Sequence, residues 1–170
     1  VGPFVMASVN TRVVRRSNEL LNGAYGVDFR YDEGTVISKG AKGFLGANAV
    51  GAGTMAFAGL AAVPITRKLL KKFLPKPGEG PTPEAIENGH YHIELRGIHP
   101  TDPSKNMTAH VKGDKDPGYG STSKMIVESA LALAQDDMPV KGGFWTPASA
   151  MGDALLSRLP ASAGVTFEIE

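Results

Sequence analysis

The order of apolar and polar positions predicts helices interleaved with short alternating strands. Val9, Val13, Leu20 and Leu21 form an incomplete apolar stripe at helical spacing, with Arg12, Arg16 and Glu19 outside it. Ser8 or Asn10 is the candidate cap of this helix, and Asn22-Gly23 its stop. Val27, Phe29 and Tyr31 then alternate with Asp28, Arg30 and Asp32, the period of a strand with one wet face. A turn at Glu33-Gly34 and the run Thr35-Val36-Ile37 would extend that sheet. Farther on, Tyr91, Ile93 and Leu95 alternate with His92, Glu94 and Arg96, and Met107, Ala109 and Val111 with Thr108, His110 and Lys112. If these runs pair as a hairpin, their polar residues share one face, but the long connection leaves the register unread. A helix is predicted from Ser121 to Gln135, burying Met125, Ile126, Leu131, Leu133 and Ala134. Another starts with Thr146 as N-cap and Pro147 at the first helical position, reaches Leu159 and stops at Pro160. Val165, Phe167 and Ile169 form a closing strand. Such a mixture points to an α+β fold, a mostly antiparallel sheet with helices packed on one face.

Between these regions lies a stretch of different character. Residues 43–65 carry no charge and are dominated by Gly and Ala, with Asn48 and Thr54 the polar interruptions. About 20 apolar residues suffice to cross a bilayer. Three readings stay open: a buried or partner-covered helix, contact with a membrane surface, and a span. Arg67-Lys68-Leu69-Leu70-Lys71-Lys72-Phe73-Leu74 follows, basic and amphipathic as a surface-seeking helix requires. Residues 43–74 thus form one Gly/Ala-rich apolar segment with a basic sequel. Pro75 to Pro83 is a helix-free connector, and a short helix is expected from Pro83 to Glu87.

Composition narrows the class. With 170 residues and 42% hydrophobic content the chain suits one ordinary domain. Eighteen Lys and Arg against seventeen Asp and Glu give a net charge of +1, which argues against nucleic acid as a partner. That balance hides an asymmetry: residues 1–75 hold ten basic and four acidic side chains, residues 76–170 eight and thirteen. The absence of Cys excludes disulfides, thiolate metal sites and a Cys nucleophile. Val1 in place of an initiator Met is read as the start of an interior piece of a longer polypeptide, with a processed mature chain as the alternative.

Twenty-one Gly raise the question of a phosphate-binding loop. Gly51-Ala52-Gly53-Thr54-Met55-Ala56 has the spacing of a dinucleotide fingerprint but lacks the strand before it and the acidic residue after it. Asp116-Pro117-Gly118-Tyr119-Gly120-Ser121-Thr122-Ser123-Lys124 is better placed, joining a strand to a helix start with a cation nearby. Gly118, Tyr119, Gly120, Ser121 and Lys124 are therefore the candidate crevice or anion contacts, beside the alternative of an ordinary turn. His90, His92 and Glu94, with His110 across the sheet, have a spacing that could ligate a metal, but a solvated sheet face explains them more simply and no metal is expected. No catalytic residue can be assigned from spacing.

Four segments in order, VGPFVMASVNTRVVRRSNELL, PKPGEGPTPEA, GDKDPGYGSTSKMIVESALAL and GGFWTPASAMGDALLSRL, resemble the C-terminal half of saccharopine-dehydrogenase-like oxidoreductases, in the branch that includes trans-acting enoyl reductases of lipid biosynthesis. The resemblance implies two-domain NAD(P)-dependent enzymes. An N-terminal Rossmann domain would bind most of the NAD(P), and residues 1–170 would be the single C-terminal substrate and oligomerisation domain. Its partners would be its own Rossmann domain and a second copy in a homodimer. A cytoplasmic setting is expected, and the resemblance also implies a membrane- or lipid-associated life, which fits the uncharged 43–65 segment and its basic sequel. This fragment alone is expected to be inactive and to hold no cofactor. The alternative is a non-enzymatic lipid-surface or protein-interaction module using residues 43–74.

Overall fold

Helices and strands alternate along the chain as an α+β protein, here seen in a computed structural model that describes all residues except Pro77. The chain forms two compact units, Val1–Gly80 and Pro81–Glu170, dividing inside the Pro- and Gly-rich connector.

In the first unit, β1 (Gly2–Pro3) pairs antiparallel with β2 (Gly34–Thr35) as a two-residue ladder. Helix α1 spans Ala7–Leu20, but neither Ser8 nor Asn10 caps it; the N-cap position is Met6, without a side-chain hydrogen bond. Asn10 instead donates its amide to Glu33 (2.9 Å). The predicted strand at 27–31 does not form, and the sheet beyond it is reduced to Gly34–Thr35. Val27 is 99% exposed, so the apolar side of the alternation has nothing to bury against at its first position. Phe29 packs between Tyr25 (5.3 Å, edge-on) and Tyr31 (6.3 Å, stacked), and the Tyr31 hydroxyl donates to Glu33. Burial and this hydrogen bond push the Tyr31 phenol up to about 12. Local aromatic packing and an anchor to α1 thus replace a ladder that had no partner strand.

The uncharged stretch forms α2, Gly40–Ala62, and its basic sequel begins as α3, Pro64–Leu70, with Pro64 at the helix start. The Gly51 motif lies in the interior of α2, where no phosphate-binding turn exists. Ser38 presses so closely on Gly43 that a side chain there would overlap the Ser38 backbone.

The second unit opens with α4 (Pro83–Asn88), capped by Thr82, whose hydroxyl accepts from Ala85 N–H. Strands β3 (Tyr91–Gly97), β4 (Met107–Gly113) and β5 (Val165–Ile169) form an antiparallel sheet in that order. The register that the sequence left open pairs Tyr91 with Gly113, Glu94 with His110, and Val111 with Phe167. Polar residues therefore share one face, and Ile93, Leu95, Val111 and Val165 the other.

Helices α5 (Gly120–Gln135) and α6 (Pro147–Arg158) cover the Val111–Val165 end of the apolar face. Within α5 the inward stripe is Ser121, Met125 and Ala132. Ile126, Leu133 and Ala134, expected inside, are exposed, because they sit on helix faces turned away from this stripe. Thr146 caps α6 in a reciprocal capping box with Ser149. Pro160 does not end the coil as expected. A π-turn continues over Leu159–Ala163, and the stop is Gly164 in the left-handed region (φ 69°). Only glycine is comfortable there, doubly so because the Asp114 carboxylate lies where a Cβ would be.

Leu159, Ala163 and Val165 form the buried cluster, joined by Val111, Met125 and Leu155. Arg158 clamps the two helices: its Nη2 and Nε donate to both carboxylate oxygens of Asp136 (2.6 and 2.8 Å), and Nη1 to Glu128 (3.3 Å). These bonds hold Asp136 below the ordinary carboxylate range and raise Arg158 further. Truncating a buried leucine costs about 2–5 kcal/mol, while exposed positions change stability by about 0.5 kcal/mol or less. Leu159→Ala is thus expected to lower the urea midpoint clearly, and Leu156→Ala, at an exposed position, to leave it nearly unchanged.

Candidate functional site

The corner between β4 and α5 holds all five candidate contacts, and Asp116 organises it. The Asp116 carboxylate accepts from Tyr119 N–H (2.7 Å) and Gly120 N–H (3.4 Å), and its carbonyl accepts from Ser121 N–H (2.8 Å). Three amides at the start of α5 are satisfied by a single residue, as an N-terminal cap requires. The Asp116 N–H in turn donates to the Ile86 carbonyl at 3.2 Å, tying α4 to the same corner. Gly89 lies so close to Asp116 that an added Cβ would stand 2.6 Å from its backbone. Hydrogen bonds from backbone N–H groups, that of Tyr119 foremost, hold the Asp116 carboxyl below the usual carboxylate range.

Each sequence-predicted residue has a defined place. Gly118 sits in the turn, close to the Asp116 carboxylate. The Tyr119 side chain projects outward and is exposed, while its N–H is held inward by Asp116. Gly120 opens α5 at a point where a Cβ would press on Ile86 and Lys115. Ser121 is fully buried, its hydroxyl sharing a 3.1 Å hydrogen bond with Tyr91. Lys124 reaches Asp114 at 3.7 Å, a long contact that leaves the ammonium partly open to solvent. Lys115 pairs with Glu87 beside it, which raises Lys115 and lowers Glu87. The structure therefore brings the five residues together. It presents Tyr119 and Lys124 outward, while the amides and Ser121 face the fold. A turn at Asp116 was legible in principle, since Asp ahead of Pro117-Gly118 is a turn signal whose side chain bonds nearby backbone N–H groups.

The sheet's polar face is organised differently. His92 Nε2 and His110 Nδ1 are 2.9 Å apart, and His110 Nε2 lies 3.3 Å from the Glu170 carboxylate. Lys112 donates to Glu168 (2.6 Å), and Arg96 to Glu94. These pairings hold Glu168 and Glu94 below the ordinary range. His90 precedes β3 and is not part of this array. Among the described residues no group of three or more His, Asp or Glu could hold a metal ion.

The acid response of the corner follows from the depressed Asp116 carboxyl. A carboxyl lower in the folded than in the unfolded chain stabilises fully above the unfolded value near 4, and less as pH falls through the folded value. The Tm difference between the parent chain and Asp116→Ala should therefore be largest near neutral pH and narrow below about pH 4. Equal differences from pH 7 down to pH 2 would show that the charged carboxylate contributes nothing.

No protein-family model matches the chain, and no solved structure matches it. Similarity to named proteins is extensive. A Mycobacterium tuberculosis protein, provisionally named a trans-acting enoyl reductase, is 44% identical over 174 residues, covering 97% of this chain and 40% of its own length. A trans-acting enoyl reductase of Mycobacterium bovis is 41% identical over 98% of this chain and 40% of its own length. One from Mycobacterium ulcerans is 38% identical over 94% of this chain and 38% of its own length. Nearly the whole chain is thus homologous to a portion of the mycobacterial trans-acting enoyl reductases, and it spans about 40% of the length of these relatives.

Proposed function

We propose that the chain is the substrate-binding and oligomerisation part of an NAD(P)-dependent oxidoreductase of saccharopine-dehydrogenase-like type, an enoyl reductase acting in lipid metabolism. The observation that carries the enoyl-reductase part of this reading is the identity of 41–44% along 97–98% of the chain to proteins named trans-acting enoyl reductases. NAD(P) would be held mainly by a Rossmann domain outside these 170 residues. The residues present do not fit a dinucleotide pyrophosphate: the Gly51 motif is helix interior, and the amides of Tyr119 and Gly120 at the α5 start are engaged by Asp116. The contribution of this chain is then to bind and orient the enoyl substrate, and to pair with a second copy in a homodimer.

Within that reading Tyr119 and Lys124 are the side chains that face the substrate crevice. Lys124 supplies a cation for an anionic or strongly polarised group on the substrate, and Tyr119 an exposed ring with a hydroxyl. In the parent enzyme, assayed by NAD(P)H oxidation with an enoyl thioester, Lys124→Ala should raise KM about tenfold, the loss of one charge-assisted contact. Asp114→Asn removes the ion pair while keeping the cation, and should leave KM near that of the parent. Unchanged constants in Lys124→Ala would remove this residue from the site, and absence of any NAD(P)H oxidation by the parent enzyme would remove the enzyme reading.

A further inference from the structure

We infer that residues 40–76 form a docking element for an anionic lipid surface, with α2 lying in the interface and flanking cations on the headgroups. The inference does not depend on the enzyme reading. Its first basis is exposure. Helix α2 is 23 residues long, and none of its most apolar 18-residue window is buried. Leu45, Met55, Phe57, Ile65, Leu69 and Phe73 are all open to solvent, Met55 at 76% and Ile65 at 83%. A helix apolar around its whole circumference is one that something else covers.

Charge identifies what covers it. Residues 34–78 contain seven Lys and Arg and no Asp or Glu. Lys39, Lys42, Arg67, Lys68, Lys71, Lys72 and Lys76 are all exposed, and none is in an ion pair among the described residues. The contrast with the second unit is direct. Of its seven Lys and Arg, Arg96, Lys105, Lys112, Lys115, Lys124 and Arg158 each have a carboxylate partner, and Lys141 alone has none among the described residues. Lys39 and Lys42 also stand at the N-terminal end of α2, with no acid in its first turn, against the preference set by the helix dipole. Helix stability does not explain cations there, whereas an anionic surface met by both ends of the helix does. A protein partner rich in acid could match the charges. The long, largely apolar exposed surface between the two cationic groups favours acyl chains bounded by headgroups.

The local packing decides between lying on a bilayer and crossing it. By length, about 34 Å at 1.5 Å per residue, α2 would span. The β1–β2 ladder, however, is seated against its first half: Gly2 lies next to Ala47, and Pro3 next to Gly51. A span would carry this two-residue ladder and its unpaired backbone groups into hydrocarbon, where each costs several kcal/mol. Lying in the interface leaves the ladder on the aqueous side.

The test is flotation of the 170-residue chain with vesicles of phosphatidylcholine, with and without a quarter of phosphatidylglycerol. The chain should float with the anionic vesicles at low salt, be released at about 0.5 M salt, and stay below with the neutral ones. Reversing Arg67, Lys68, Lys71 and Lys72 to Glu, all exposed and outside the proposed crevice, should weaken binding by more than about a hundredfold with the circular dichroism unchanged. Met55→Asp with Phe57→Asp should also abolish flotation. The proposal is overturned if the chain fails to float with anionic vesicles at low salt, or if the Glu variant floats as well as the parent. It is equally overturned if ultracentrifugation shows a dimer that Met55→Asp with Phe57→Asp dissociates, because the apolar surface would then belong to a second copy.

Discussion

The β4–α5 corner rests on one side chain. An α-helix begins with N–H groups that have no partner within it, and Asp116 engages three of them through its carboxylate and carbonyl. The same residue donates its own N–H to α4 and packs against Gly89, which leads into β3. A helix, a sheet entry and a second helix therefore share one fixed point. Once α5 is set there, its inward stripe meets the Leu159–Ala163–Val165 cluster, and Arg158 ties the far end of α5 to α6. The cap also decides which groups of the candidate site remain available. Backbone donors that could have met an anion are engaged internally, so the groups this corner presents outward are the Tyr119 and Lys124 side chains.

The two units handle charge in different ways. In Pro81–Glu170, cations are matched to carboxylates across strands and between helices, as in the Lys112–Glu168 and Arg158–Asp136 pairs. An exposed pair such as Lys112–Glu168 adds little stability individually, and such pairing leaves a surface with little net pull on an anionic partner. In Val1–Gly80, the run from residue 34 to residue 78 has cations without acids and apolar side chains without cover. A chain homologous to part of an enoyl reductase thus combines a self-contained α+β unit with a segment whose chemistry is directed outward.

Much of this was legible in the sequence, for reasons that can be named. Strands β3, β4 and β5 follow the two-residue period because each has one face against solvent and neighbours to pair with. Residues 27–31 have the same period without a neighbouring strand, and there the alternation resolves into aromatic packing and the Asn10–Glu33 contact. Periodicity reports which side chains could share a face, not whether a partner strand exists. Pro160 misled for a related reason: the π-turn is closed by Gly164 N–H donating to the Leu159 carbonyl, a bond that does not call on the missing N–H of Pro160, and Gly164 supplies the stop. At the candidate site the residue cluster was visible, but the direction of its amides was not. The sequence shows glycines before a helix. The structure shows an aspartate already seated on the amides they release.

The most direct test of that central feature is a carboxyl carbon NMR titration of Asp116, followed together with the amide protons of Tyr119 and Gly120. The account predicts an Asp116 midpoint below the ordinary aspartate value near 4, with both amide resonances shifting at the same midpoint as their acceptor loses its charge. An Asp116 carboxyl that titrates at the ordinary value, with amides indifferent to it, would contradict the account and leave the α5 N-terminus open to a ligand.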